Sequence, residues 1–478
     1  MNPEKERPVL HVLGSSWVSM LGVALVTTAG CSWLFVLPVH IRGHVDNPYI
    51  GLLVFFAIPV IFFAGLALIP IGIALGKKRV ASELSTVLDR KALARRFAIF
   101  LAVTTFVNVV IGSQVTYRAV EHMESVQFCG QTCHVMQPEF TAHMLPNHQK
   151  VACVDCHVVP GAAGFIQSKM AGTRQLFEVV FNTYPRPIHS AIESNRLAPS
   201  ADTCEQCHAR TKDNGTLLRV IPAYKDDEAN TVSYTVLNMM VGGGTEGGIH
   251  GAHMGPGVHI RYAAADAKRD VIPWVEYKNS QSGVTRTYLA ASSPEAAKPA
   301  APNGLPQFEM QCADCHNRAA HSFELPGRGL DRSFAEAKLP ASLPYLKKTG
   351  LALLNAPYPS QQAAAGKISQ GLASFYRANY PGIAANRRGE ILAAAKVISQ
   401  LYSQNVFPDL KVGWGTYPNN LGHTDAPGCF RCHDDSHATA GKKTITNDCG
   451  ACHDAVAVDE ASPAVLTTLG IPQSKPNP

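Results

Sequence analysis

Cys129-Gly130-Gln131-Thr132-Cys133-His134 is followed shortly by Cys153-Val154-Asp155-Cys156-His157, and the same pattern of a cysteine pair capped by histidine recurs four more times. The later copies are Cys204 and Cys207 with His208, Cys312 and Cys315 with His316, Cys429 and Cys432 with His433, and Cys449 and Cys452 with His453. These six motifs take up twelve of the thirteen cysteines, so they dominate any reading of the chain. Zinc ribbons and disulfide frameworks also use paired cysteines, but neither requires a histidine directly after every second one. Covalent attachment of haem does, because two thiols bond the porphyrin and the adjacent imidazole then lies beneath the iron. The spacing therefore predicts six c-type haems, with His157, His208, His316, His433 and His453 as proximal ligands and His134 in that place at the first motif. The remaining cysteine, Cys31, sits in an apolar run and reads as a small hydrophobe.

Apolar residues are concentrated in the first quarter of the 478-residue chain. Trp17 to Val39, Tyr49 to Leu75 and Phe97 to Val115 are each apolar over about the 20 residues that a helix needs to cross a bilayer. Three retained spans are predicted rather than a cleaved signal peptide. Lys77, Lys78, Arg79, Arg90, Lys91, Arg95 and Arg96 lie between the second and third segments, whereas Arg42 is alone between the first and second. Lysine and arginine mark the cytoplasmic side, so the amino terminus is expected inside and everything after about Val115 outside, in the periplasm of a bacterium. Haem is attached in that compartment. The net charge of +6 is modest, and the cytoplasmic loop accounts for much of it; no nucleic-acid partner is implied.

The expected fold is mainly α: three transmembrane helices, then a periplasmic multihaem cytochrome c domain with a small β-containing insertion. Residues 1–95 contain two membrane helices and the basic loop; 96–210 the third anchor and motifs one to three; 211–306 an inserted subdomain; and 307–478 a helical region with motifs four to six. With three motifs in about ninety residues, Arg118 to His208 has little room for a conventional core, so porphyrins supply much of it and folding depends on cofactor insertion. Alternation over Val258 to Tyr262 and Ile272 to Tyr277 predicts short strands. Gly242 to Gly244 and the run from Ala296 to Gly304 read as flexible punctuation or linker. Over Arg388 to Tyr402, Ile391, Leu392, Ala395, Val397, Ile398 and Leu401 recur at helical spacing.

Each low-spin haem needs a second axial ligand. Ten further histidines follow the third span: His122, His143, His148, His189, His250, His253, His259, His321, His423 and His437. His321 stands too close in sequence to His316, and His437 too close to His433, to wrap a porphyrin and bind its opposite face; each should serve another haem.

From about Phe97 to Pro326 the sequence resembles the NapC/NirT family of membrane-anchored cytochromes, quinol dehydrogenases that include the NrfH-type subunits. The resemblance rests on an anchor segment leading to Cys133-His134-Val135-Met136, a second motif preceded by His148, and CADCHNRAAH ending at His321. It implies that Met136 ligates the first haem in place of His134, that His148 serves the fourth haem and that His321 serves the second. It also implies that Lys169 lies beside the first haem where quinol binds. For the third haem His250 or His253 is expected, with His189 as rival; for the last two, His423 and His437.

The chain departs from the family pattern in three ways. Its first motif has one extra residue. Gln175 and Leu176 stand where an acidic residue is expected after the lysine, the nearest acid being Glu178. Two helices, an insertion and two haems are added. His40 and His44, at the outer end of the first span, are candidate quinol proton acceptors. The expected function is quinol oxidation with electrons passed along six haems to a periplasmic acceptor. The rivals are an electron-transfer subunit docked to other respiratory-complex subunits, and a terminal reductase with an open haem.

Overall fold

The computed structural model describes residues 16–42, 57–84, 117–132, 134–145, 147–194, 197–209, 214–244, 247–291 and 304–473, with single positions at 95, 99, 102, 114 and 212. Over 31–42 and 77–84, and at His134, the backbone alone is described. The chain forms two compact units, Met1–Met136 and Gln137–Pro478.

In the first unit, helix α1 (Trp17–Arg42) packs against helix α2 (Ile58–Leu84). Small residues set the contact: a Cβ added at Gly22 would lie 2.7 Å from the Gly65 carbonyl oxygen, and one at Gly72 only 2.1 Å from the Ser19 nitrogen. Such close backbone approach is how helices associate where lipid, not water, surrounds them. Trp17, Met20, Val60, Phe63, Ile71 and Leu75 point outward and are exposed. Ile58–Gly76 is long and apolar enough to cross a membrane, and Trp17–Gly30 is a shorter apolar helix among the described residues. Most of the third apolar segment, Phe97 to Val115, lies outside the described residues, as do His44 and the side chains of Cys31 and His40. The extra residue of the first motif is taken up in a π turn, Phe128–Thr132, whose wider winding holds more residues per turn than an α-helix.

The second unit is mainly helical, with two small antiparallel sheets. Strands β1 (Leu217–Tyr224) and β2 (Val232–Met239) form a hairpin, and the third strand of their sheet is β7 (His453–Glu460), from the far end of the chain. The other sheet runs β5-β4-β3-β6: Val284–Leu289, Trp274–Asn279, Val258–Ala263 and Gln307–Glu309. Strands therefore form where alternation predicts them, but both sheets take a strand from beyond residues 211–306. Gly242 to Gly244 form no loose linker. A Cβ at Gly242, with φ of +58°, would strike the Gly247 carbonyl oxygen at 2.0 Å, so the segment is a tight fold of backbone that launches helix α6 (Gly248–Met254).

Five helices carry a conventional core: α8 (Pro326–Ala335), α9 (Leu346–Leu354), α10 (Gln361–Asn379), α11 (Pro381–Asn386) and α12 (Arg388–Asn405); α3 (Gln137–His143), α4 (Cys153–His157), α5 (Ala162–Val180) and α7 (Cys312–Cys315) lie earlier in the unit. Leu330, Leu346, Leu354, Ile368, Leu372, Tyr376 and Ile398 are fully buried there together. On α12 the buried face is Ile391, Ala394, Ala395, Ile398 and Leu401, whereas Leu392 is exposed. Asn230, in the β1–β2 turn, donates to the Ala341 and Leu343 carbonyls at 2.8 Å each, tying the first sheet to this bundle.

Candidate functional site

Four of the six histidine-bearing motifs begin or lie on short turns: Cys153–His157 (α4), Cys204–Gln206, Cys312–Cys315 (α7) and Gly428–Arg431. Cys449–Ala451 makes a fifth, and its histidine, His453, opens β7 opposite Met239. These motifs follow one another in space as they do in sequence. Cys156 lies near Cys204 and Cys207, and Cys204 lies beside Cys312. Cys315 neighbours Cys429 and Cys432, and Cys429 neighbours Cys452.

Each of the five motif histidines in this unit faces a histidine from elsewhere in the chain. Ring centres are 6.1 Å apart for His157 and His321, 6.2 Å for His148 and His208, and 6.2 Å for His250 and His316. They are 5.7 Å apart for His253 and His433 and 6.3 Å for His423 and His453. Two imidazoles bound to one iron at about 2 Å on either side have centres about 6 Å apart, so each pair has the spacing that a haem iron requires. Ring orientation fits as well. Nδ1–H donates to a backbone carbonyl in His148 (Ala319, 3.0 Å), His253 (Ile249, 2.7 Å), His321 (Glu139, 2.9 Å) and His433 (Thr446, 2.8 Å). That bond fixes the tautomer and leaves Nε2 for the metal. Burial lowers the pKa of His157, His253 and His316, and that of His321 to about 4, so these rings are neutral as ligands must be. Among the described residues no three or more His, Cys, Asp or Glu side chains gather as a bare-metal site.

The pairing differs from the sequence expectation at several positions. His148 faces the third motif rather than the fourth. His250 and His253, both on α6, face the fourth and fifth motifs rather than the third. His423 faces the sixth. His437 is corrected outright: it is buried, its Nδ1 lies 2.8 Å from Asp434 and its Nε2 donates to the Ile272 carbonyl at 2.7 Å, so neither nitrogen remains for iron. His189 is exposed beside Glu193, and His259 pairs with Glu309 at 2.9 Å. His143 is buried 5.7 Å from His321, on helix α3 (Gln137–His143). His321 has one nitrogen left after its bond to the Glu139 carbonyl, and of the two neighbouring rings His157 is the one that belongs to a motif.

The scaffold around these motifs was not visible in sequence. Asp314, inside the fourth motif, accepts from the Gln311 amide at 2.7 Å, from Arg269 at 3.2 Å and from the Tyr262 hydroxyl of β3. Burial, then the Asp314 charge, pushes the Tyr262 phenol well up, which keeps it a donor. Arg431 of the fifth motif donates to the Asp314 carbonyl at 2.6 Å and to that of Arg269 at 3.0 Å. The second sheet therefore clamps motifs four and five together. Glu139 is buried beside His321, its carboxylate 3.3 Å from Nδ1; desolvation raises its pKa while Arg318 and His157 oppose that rise.

In the first unit, Cys133 and the His134 side chain lie outside the described residues, and Met136 is exposed on the turn His134–Met136. Lys169 lies on helix α5 (Ala162–Val180), its Nζ 4.8 Å from the Phe165 ring centre.

Paired imidazoles over cysteine–histidine motifs define a c-type cytochrome. The description of the NapC/NirT cytochrome c family, N-terminal region, matches residues 92–219. Cytochrome c-type protein ImcH of Geobacter sulfurreducens is 36% identical over 455 residues, covering 92% of this chain and 87% of its own. No solved structure matches. The chain belongs to the NapC/NirT family of membrane multihaem cytochromes c, with haem as its cofactor and electron transfer as its work.

Proposed function

We propose that this chain is a membrane-bound hexahaem quinol dehydrogenase that passes electrons from quinol, along its motifs in order, to a periplasmic acceptor. The observation that carries the proposal is the row of five facing histidine pairs, each 5.7–6.3 Å apart, on motifs that neighbour one another in sequence order. Haem, when bound, supplies reversible one-electron chemistry; the chain sets its axial ligands, spacing and burial. In this reading Cys129 and Cys133 hold the first haem near the membrane, Met136 ligates it, and Lys169 lies beside the quinol. In this reading the chain crosses the membrane three times, with the amino terminus in the cytoplasm and the haem domain outside.

The insertion acquires a purpose here. Its helix α6 supplies His250 to the fourth haem and His253 to the fifth, so the segment that departs from the family pattern ligates a haem that also departs from it. Surplus histidines leave no motif of the second unit without a facing imidazole, which favours electron transfer over a terminal reductase with an open iron.

The test is anaerobic mixing of the oxidised, purified protein with a menaquinol analogue while haem absorbance is followed. Reduction within seconds is the expected result. Haems that stay oxidised with quinol, yet reduce fully with dithionite, would leave the chain as an electron-transfer subunit without its own quinol site.

A further inference from the structure

Helix α5 is unlike the other long helices of its unit because its apolar residues face outward. Ile166, Met170, Phe177, Val180 and Phe181 are 57%, 70%, 58%, 64% and 68% exposed. Counted from Ile166 they stand at i, i+4, i+11, i+14 and i+15, which at the helical period gathers them into one stripe. One polar residue, Thr173, lies within it, and its hydroxyl is turned back to the helix backbone. The Thr173 hydroxyl, at i+7 in the middle of the stripe, donates to the Lys169 carbonyl at 2.8 Å, and the Ser168 hydroxyl to that of Phe165 at 2.7 Å. Phe177 and Phe181 stack with centres 6.4 Å apart along it. A Cβ at Gly172 would meet nothing within 4 Å. By contrast, α12 turns its apolar residues into the core.

A contiguous apolar stripe of this length on a folded surface marks an interaction site. Two cations flank it, Lys169 on one side and Arg174 on the other. Arg174 is exposed and bonded to Glu178 at 2.8 Å, one helical turn on. Apolar residues along one face with lysine and arginine at its borders are the pattern of a helix lying in the membrane surface. There the cations meet lipid phosphates while their stems lie along the acyl boundary.

We infer that α5 lies in the lipid–water interface, its stripe in the acyl boundary and Lys169 and Arg174 at the level of anionic headgroups. The inference rests on the membrane-bound reading above and deepens it, because it places the quinol-site lysine at the depth at which a quinol headgroup arrives. The occupant is lipid; a second copy of the chain or its own membrane helices are the competing occupants.

The holoprotein, in vesicles of phosphatidylcholine and phosphatidylglycerol with a trace of phospholipid carrying a photoactivatable acyl chain, is illuminated, digested and analysed by mass spectrometry. Lipid adducts are expected on peptides spanning 162–181 as well as on 58–76. In Met170→Glu/Phe177→Glu the α5 adducts should fall at least tenfold, with those on 58–76 and the haem absorbance unchanged. If that variant loses its haems, Met170→Ser/Phe177→Ser serves instead. Adducts on 58–76 but none on 162–181 overturn the inference alone, as do crosslinks from 162–181 to residues 17–84 or to a second copy in place of lipid. Absence of adducts from both regions overturns the membrane reading with it.

Discussion

His253 and His433 face each other with ring centres 5.7 Å apart, although one belongs to a short helix of the insertion and the other to the fifth motif. His250, one turn earlier on the same helix, faces His316 instead. Replacing His253 by alanine should therefore convert one haem from low to high spin and leave the fourth unchanged, whereas His250→Ala should affect the fourth alone. Low-temperature electron paramagnetic resonance of the oxidised protein reads both. Loss of the same signal in both variants would contradict the pairing.

His437 and His423 should behave oppositely on substitution. Both nitrogens of His437 serve Asp434 and the Ile272 carbonyl. His437→Gln is expected to keep the five histidine-paired haems low-spin while lowering stability by about 2 kcal/mol, the scale of a buried hydrogen bond left unmade. His423→Ala should leave the sixth haem without its distal ligand. Spectra of the two variants beside thermal unfolding curves check this.

The α1–α2 contact depends on absent side chains. Gly72→Leu would place a Cβ 2.1 Å from the Ser19 nitrogen, so it should separate the helices and lower the detergent-solubilised midpoint of unfolding by an amount equivalent to about 1–3 kcal/mol, as overpacking does. Gly30→Leu, where a Cβ meets nothing within 4 Å, is the control and should be tolerated.

Lys169→Ala should slow haem reduction by quinol roughly tenfold or more, equivalent to about 1.4 kcal/mol of lost stabilisation, and leave reduction by dithionite untouched. Lys169→Arg should restore part of the rate, because charge is kept while shape changes. Equal rates for wild type and Lys169→Ala would remove the lysine from the quinol site.

The motifs were legible because covalent attachment needs a fixed local spacing, and helices such as Arg388–Asn405 because packing against one core imposes a period. Ligand partners were not, since each distal histidine reaches its motif through tertiary structure. His148 lies before the second motif yet is oriented by the Ala319 carbonyl, a group that carries no side-chain signature. His437 misled for a related reason, as its engagement depends on a backbone oxygen of Ile272 far away in the chain. The glycines at 242–244 resemble a linker in composition, and only the backbone packed against Gly242 shows why no larger residue fits there. Nor does alternation reveal that β2 pairs with a strand beginning at His453.

The most direct measurement is intact mass combined with electron paramagnetic resonance of the oxidised holoprotein. Six covalently bound haems are expected, five of them low-spin with two histidine ligands and the first distinct from the rest. Fewer than six haems, or high-spin iron at any of the five facing pairs, would contradict the row of ligated haems on which the proposed electron path depends.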